Sequence, residues 1–263
     1  MSQLRILTLL SDFGNCDVYV GVMKGVIAQV NPSIRVVDLT HQIPPQNIAA
    51  GRFCLMSACS YFPNGTVHLA VVDPGVGGIR RAVAVETTLG FLVAPDNGIL
   101  GGVLSQSQAI RAVELTNSQY WRIPEPSNTF HGRDIFAPVA AHLASGVSLL
   151  ELGSEIDPAS LVELDLPKCR QIINGVVGCV QYIDVFGNLV TNIPGSCVMQ
   201  RNWCVKVTGS RIPGGETYSH VEIGNAVALV GSEGWVEIAI NRGNAQLQLQ
   251  VQLAETVELE FLG

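Results

Sequence analysis

Charge is scarce in this chain. Only 14% of its 263 residues are Asp, Glu, Lys or Arg, and 15 basic residues leave a formal net charge of −7. So acidic a chain is poorly suited to a phosphate backbone, and no nucleic-acid partner is expected. Paired cysteines are missing too. The seven cysteines (Cys16, Cys54, Cys59, Cys169, Cys179, Cys197 and Cys204) are odd in number and form no CxxC motif. Most lie within apolar segments, so they read as reduced thiols of a cytoplasmic protein. There is no HExxH motif and no Cys/His cluster, so no metal is expected. No apolar run is long enough to cross a bilayer, and the first residues do not read as a secretory signal. A membrane partner is therefore not expected.

Apolar residues, by contrast, make up 48% of the chain, enough for a sizeable core in one or two domains. Up to about residue 165 the sequence alternates between two patterns. Short β-rich runs at 6–10, 34–37, 67–72, 82–85 and 91–93 are separated in part by helical stretches. Val18, Val22, Met23, Val26, Ile27 and Val30 recur on one helix face, and Asn31-Pro32 ends that helix. A second helix is expected over 47–61. A third is expected over 133–144, with Ile135, Phe136, Val139 and Leu143 on one face and Asp134 in its first turn. This alternation predicts an α/β domain over 1–165 with a largely parallel sheet. Beyond a linker over 149–168 the helical period fades. Strand-like runs at 175–182, 203–207, 226–230, 236–240, 246–253 and 257–262, separated by turns, predict a smaller antiparallel barrel-like domain over 170–263.

Four of the apolar runs end at or beside a carboxylate: Asp12, Asp38, Asp73 and Asp96. Ligands of open α/β sheets bind outside the carboxyl ends of the strands, so these acids either line one acidic crevice or start turns and cap helices. Asp73-Pro74-Gly75-Val76-Gly77-Gly78-Ile79-Arg80-Arg81 is a tight loop with exposed amides. It is neither a Walker A nor a completed dinucleotide fingerprint, and reads as a ligand loop or a plain connection. His131, beside Gly132 at a helix start, reads as a ligand contact or a surface residue. The turn Tyr182-Ile183-Asp184-Val185-Phe186-Gly187-Asn188 could hold a base and a polar tail, or be a hairpin whose Asp and Asn satisfy the turn.

Taken in order, six segments resemble the S-adenosyl-L-methionine (SAM) hydroxide adenosyltransferases, relatives of the SAM-dependent fluorinase and chlorinase. They are Leu10-Ser11-Asp12-Phe13-Gly14, Asp38-Leu39-Thr40-His41, Val72-Asp73-Pro74-Gly75-Val76-Gly77, Ala94-Pro95-Asp96-Asn97-Gly98, Phe130-His131-Gly132-Arg133-Asp134 and Asp184-Val185-Phe186-Gly187-Asn188. The resemblance implies hydrolysis of SAM to adenosine and L-methionine, with SAM as substrate and no cofactor. It implies a catalytic Asp73, Arg80 and His131, where the halogenating relatives carry tyrosines for the Asp and His. It implies that Asp12 binds ribose, and that Asp184, Phe186, Asn188, Ser232 and Glu237 contact the methionine and adenine parts. At Glu233 the halogenases carry an Arg. It also implies a homotrimer with sites between subunits. Water would attack C5′ in line and displace a neutral thioether. The nucleophile's proton would go to His131, or Arg80 would stabilise a hydroxide; the residues alone leave both open. A non-catalytic SAM or adenosine sensor and a SAM halogenase are the competing readings, with a nucleoside hydrolase cleaving the N-glycosidic bond as a third.

Overall fold

The computed structural model describes residues 6–262, so the segment on which the signal reading rests lies partly outside the described residues. The chain divides into two compact units, Met1–Leu164 and Asp165–Gly263. The first holds a seven-stranded sheet: β1 (Ile6–Ser11), β2 (Arg35–Thr40), β3 (Thr66–Val71), β4 (Ala82–Thr87), β5 (Gly90–Pro95), β6 (Ala109–Glu114) and β7 (Ser154–Ile156), in the order β2-β1-β3-β5-β4-β6-β7. β2, β1, β3 and β5 are parallel neighbours. β4, β6 and β7 each run antiparallel to the strands beside them. The sheet is thus mixed, which corrects the expectation of a largely parallel one. A parallel neighbour needs a crossover, and α1 (Tyr19–Val30) and α2 (Ile48–Cys59) supply two of them. Between β4 and β5 only Thr88 and Leu89 intervene, which permits nothing but a hairpin. That turn lacks the usual Asn-Gly signal, and the expected linker hides β7.

Both faces of this sheet are covered. Leu7 and Leu9 of β1 and Val67, Leu69 and Val71 of β3 pack with Met23, Val26 and Ile27 of α1 and with Val139, Ala140 and Leu143 of a later helix, Ala137–Ala144. On the other face, α2 comes so close that a Cβ added at its Gly51 would stand 3.1 Å from Val72. Burial on both sides explains why these strands read as unbroken apolar runs rather than alternating ones. Leu69 is fully buried, and truncation to Ala is expected to cost about 2–5 kcal/mol. One boundary shifts and one element is new. Val18 lies outside α1 and is exposed. A short α3 (Gly101–Gln106) follows β5; the sequence pattern did not signal it.

The second unit is one antiparallel sheet of β8 (Arg170–Ile172), β9 (Gly175–Ile183), β10 (Leu189–Pro194), β11 (Asn202–Val207), β12 (Ser210–Pro213), β13 (Ala226–Val230), β14 (Trp235–Ile240) and β15 (Thr256–Leu262), running β12-β11-β15-β9-β10-β14-β13 with β8 beside β9. A bridge between Gly214 and Ala228 brings its two edges together, so it is nearly a closed barrel. The inner faces of β9, β10, β11, β14 and β15 fill it, among them Val180, Leu189, Val205, Ile238 and Leu259. The strand expected over 246–253 is absent. The alternation of Gln with apolar residues there is a β-signal, but the Asn244 side chain accepts from Leu247 N at 2.8 Å and caps a short helix, Ala245–Leu249. Ala245 and Val251 enter the core and Leu247 faces out, a spacing that a strand could not give.

Candidate active site

Of the two readings open for the four strand-end acids, a single shared crevice is not the one the structure shows. Asp96 receives Arg81 Nε and Nη2 at 2.8 and 2.6 Å and the Val162 amide at 2.8 Å, so it ties down the chain after β7. Asp38 lies within β2 and pairs with Lys24 Nζ at 2.6 Å. Only Asp12 and Asp73 open onto a cleft, of about 390 Å³, beyond the carboxyl ends of β1 and β3.

Asp73 holds Arg80 through both oxygens. Arg80 Nε lies 3.0 and 3.1 Å from Oδ1 and Oδ2, and Nη2 lies 2.5 Å from Oδ2. The same Nη2 lies 2.7 Å from His131 Nδ1. A guanidinium has no acceptor, so Nδ1 must accept, and a neutral His131 carries its proton on Nε2. Burial, then the Arg80 charge, push the His131 pKa below its ordinary value, with Asp73 and Asp134 opposing. Asp73 and His131 line the cleft, whereas Arg80 stands behind them over the Phe136 ring, 5.3 Å from its centroid. The loop that returns Arg80 to Asp73 depends on Gly77, whose φ is +75°; a Cβ there would lie 2.3 Å from the Asn128 carbonyl oxygen.

His131 is placed by an irregular turn. Residues Gly132–Phe136 form a π-helical turn that leads into α4 (Ala137–Ala144), whereas a continuous helix was expected from 133. Pro138 has no N–H for the carbonyl of Asp134, and the Arg122 amide takes that carbonyl at 2.9 Å instead. The Asp134 side chain accepts from Arg122 Nε and Arg133 Nε, both at 2.7 Å, and from the Ser127 amide at 3.0 Å. Burial opposes its charge, but the Arg133 and Arg122 hydrogen bonds hold its carboxyl far below the carboxylate range. Asp134 therefore anchors the loop that presents Phe130 and His131, beyond the dipole role read from sequence.

Three rings complete the cleft. Phe13, Tyr19 and Phe130 pack at tilted or edge-to-face angles with centroids 5.2–5.8 Å apart. Asp12 receives the Gln46 amide at 2.8 Å and keeps its other oxygen available.

In the second unit, Asp184 accepts from the Phe186 and Asn188 amides at 2.9 and 2.8 Å and from Asn188 Nδ2 at 2.9 Å. Here the hairpin reading holds: these residues satisfy their own turn, leaving Phe186 exposed and Asn188 buried. Glu237, buried on β14, accepts from Tyr218 Oη at 2.9 Å. Burial and the nearby Asp184 charge raise the Glu237 pKa against the lowering hydrogen bond; burial and Glu237 raise Tyr218 to about 12. The Glu237 carboxylate lies against Gly231, where a Cβ would come within 2.8 Å, and Ser232 is exposed on the turn that follows. A larger cleft, of about 800 Å³, lies between Gly195–Trp203 and Pro213–Glu216, and no predicted site residue lines it.

Residues 7–153 match the family model for the SAM hydroxide adenosyltransferase N-terminal domain, and residues 178–258 match that for its C-terminal domain. The chain belongs to the SAM hydroxide adenosyltransferase family. It is 40% identical to a Salinispora tropica protein named (R)-S-adenosyl-L-methionine hydrolase, over 93% of this chain and 94% of that one. A Thermus thermophilus protein of the same name is 39% identical, over 97% and 100%. A crystal structure of an uncharacterized conserved protein from Thermotoga maritima superposes with a TM-score of 0.90, at 35% identity, covering 96% and 99%.

Among the residues around these sites, sequence reasoning missed Tyr19, Phe130 and Tyr218. Only Phe130 carried a signal, its place beside His131. Tyr19 is the first residue of α1 and Tyr218 opens a short turn, Tyr218–His220, before β13, and no local pattern announces either.

Proposed function

We propose that the chain hydrolyses SAM to adenosine and L-methionine, with water attacking C5′ and the thioether leaving as a neutral group. The overall change is SAM plus water giving adenosine, methionine and a proton. The observation that carries this reading is the Arg80 bridge between Asp73 and His131 at the wall of an aromatic cleft. With Nδ1 of His131 engaged by Arg80, Nε2–H is a donor that can orient the water oxygen. Asp73 is then the group of the three with acceptor capacity toward the cleft, and it takes the water's proton. Arg80 fixes the positions of both. Asp12 holds the ribose hydroxyls. Pre-aligned attack removes entropy from the barrier. No metal or cofactor enters this scheme.

Asp184 takes the methionine ammonium, with Glu237 adding negative charge. Phe186 packs on the nucleoside or methionine chain, and Asn188 and Ser232 bond its polar edges. We assign these contacts to a neighbouring subunit of a homotrimer; the exposed Val185 and Phe186 support such an arrangement. An odd number of cysteines with no CxxC motif suits a reducing compartment, the cytoplasm. Among the described residues no helix is long and apolar enough to cross a membrane.

The test is to incubate the purified protein with SAM in halide-free buffer and identify products by liquid chromatography. Adenosine and methionine, abolished in Asp73→Ala, are expected. SAM binding without product would replace the hydrolase with a sensor, and chloride-dependent formation of a 5′-halogenated nucleoside would replace it with a halogenase.

A further inference from the structure

The Asp38-Leu39-Thr40-His41 segment takes no part in the scheme above, yet its two ionisable side chains join a chain of contacts that runs inward from the exposed Asp38 to the buried His41 and Ser11. His41 Nδ1 lies 2.7 Å from Ser11 Oγ, and His41 Nε2 faces Asp38 Oδ1 at 3.1 Å. Asp38 Oδ2 is held by Lys24. Ser11 is 1% exposed and His41 6%. Neither lines the cleft, so Ser11 is no nucleophile despite the Ser-His-Asp composition. The Asp38 carboxylate stands 3.1 Å from Nε2 without the alignment of a hydrogen bond, and its charge favours the tautomer with the proton on Nε2, which leaves Nδ1 to accept the Ser11 hydroxyl.

Ser11 immediately precedes Asp12, and His41 opens the loop that reaches Gln46. The two segments are laced at three points: Ser11 Oγ to His41 Nδ1, the Gly14 amide to the His41 carbonyl at 2.8 Å, and the Gln46 amide to Asp12 Oδ2 at 2.8 Å. Gln46 has a φ of +64°, an unfavourable value for a residue with a side chain, and its amide is aimed at Asp12 from that conformation. We propose that Asp38, His41 and Ser11 are positioning residues that fix the Asp12 carboxylate for the ribose, an inference that rests on Asp12 being the ribose ligand.

The experiment compares kcat and KM for SAM in Asp12→Ala, His41→Ala, Ser11→Ala and the double variant Asp12→Ala/His41→Ala, with thermal unfolding followed for each. Contacts made equally in ground and transition state appear in KM. His41→Ala is expected to raise KM about tenfold with kcat changed less than about threefold, Ser11→Ala to move KM the same way, and the double variant to be no worse than Asp12→Ala alone. A merely structural role would lower the unfolding temperature and act additively with Asp12→Ala. Additive losses, or an unchanged KM in a folded Ser11→Ala, overturn the relay while the ribose reading stands. An unchanged KM in Asp12→Ala overturns the ribose reading, and the relay with it.

Discussion

Arg80 Nη2 donates to His131 Nδ1 at 2.7 Å while reaching Asp73 Oδ2 at 2.5 Å. One nitrogen therefore sets the geometry of both groups that face the cleft. Lysine has the charge but not the planar fork, and cannot hold the two-oxygen contact and the imidazole together. Arg80→Lys is expected to lower kcat on the order of a hundredfold with KM for SAM little changed, because the guanidinium fork acts on the groups that handle the nucleophile and not on the bound substrate. Steady-state kinetics with SAM checks this. A rise in KM at constant kcat would place Arg80 in substrate binding instead.

The same hydrogen bond sets a pH dependence. His131 is neutral in the working arrangement, and burial and Arg80 keep its pKa below the ordinary 6.5. Activity should therefore hold on acidification through pH 6.5 and fall only below it, as His131 takes a proton. In Arg80→Met the positive neighbour is gone while Asp73 and Asp134 remain, so the His131 pKa must rise. The acid limb of kcat/KM for this variant's residual activity should then move to higher pH. A limb that stays in place would remove His131 from the titration.

Much of this site was legible in the residues. The Pro/Gly loop and the Phe-His-Gly segment marked two places where a ligand could bind, because tight turns need those residue types, but only the family resemblance joined Asp73, Arg80 and His131 as one group, and the structure places the three in contact. The parallel half of the sheet was legible for a similar reason, since helical periodicity marks its crossovers. The antiparallel half was not: β4 and β5 are joined by Thr88 and Leu89, which carry no turn signature, and β7 sits where composition suggests a linker. Asp38 and Asp96 looked like Asp12 and Asp73 because strand ends with carboxylates are alike locally. What separates them is not a paired cation, since Asp73 has Arg80 as Asp38 has Lys24 and Asp96 has Arg81, but that only Asp12 and Asp73 line the cleft, which no local spacing predicts. The 246–253 run misled for the opposite reason, a strong two-residue period overruled by a single Asn cap.

Gly77 offers a test of the loop itself. A Cβ there would overlap the Asn128 carbonyl oxygen, and the φ of +75° is strained for alanine in any case. Gly77→Ala is expected to destabilise the protein by about 1–3 kcal/mol and to lower kcat by pulling the Asp73–Arg80 loop from the segment that presents His131. Chemical denaturation and kinetics would show both. Full activity in the variant would mean that the loop's approach to Asn128 is not needed for catalysis.

A last prediction concerns stability alone. His68, on β3, is fully buried, with Nδ1 2.9 Å from Thr8 Oγ1 and Nε2 buried without a hydrogen-bond partner among the described residues. Burial pushes its pKa down to about 4 from 6.5. Above pH 6.5 folded and unfolded chains both hold a neutral imidazole there. As pH falls from 6.5 toward 4 the unfolded chain takes up a proton that the folded chain refuses, so stability falls across that window. The loss by pH 4 is roughly 3 kcal/mol. Replacing the pair by Thr8→Val/His68→Leu removes the titrating group and leaves the other acids and histidines in place. Urea unfolding of both proteins at pH 7 and pH 4 should show the wild type losing more stability than the variant by on the order of that amount. Equal losses would mean that His68 meets a proton as readily when folded as when unfolded, and that the interior of the sheet is open to water at this strand.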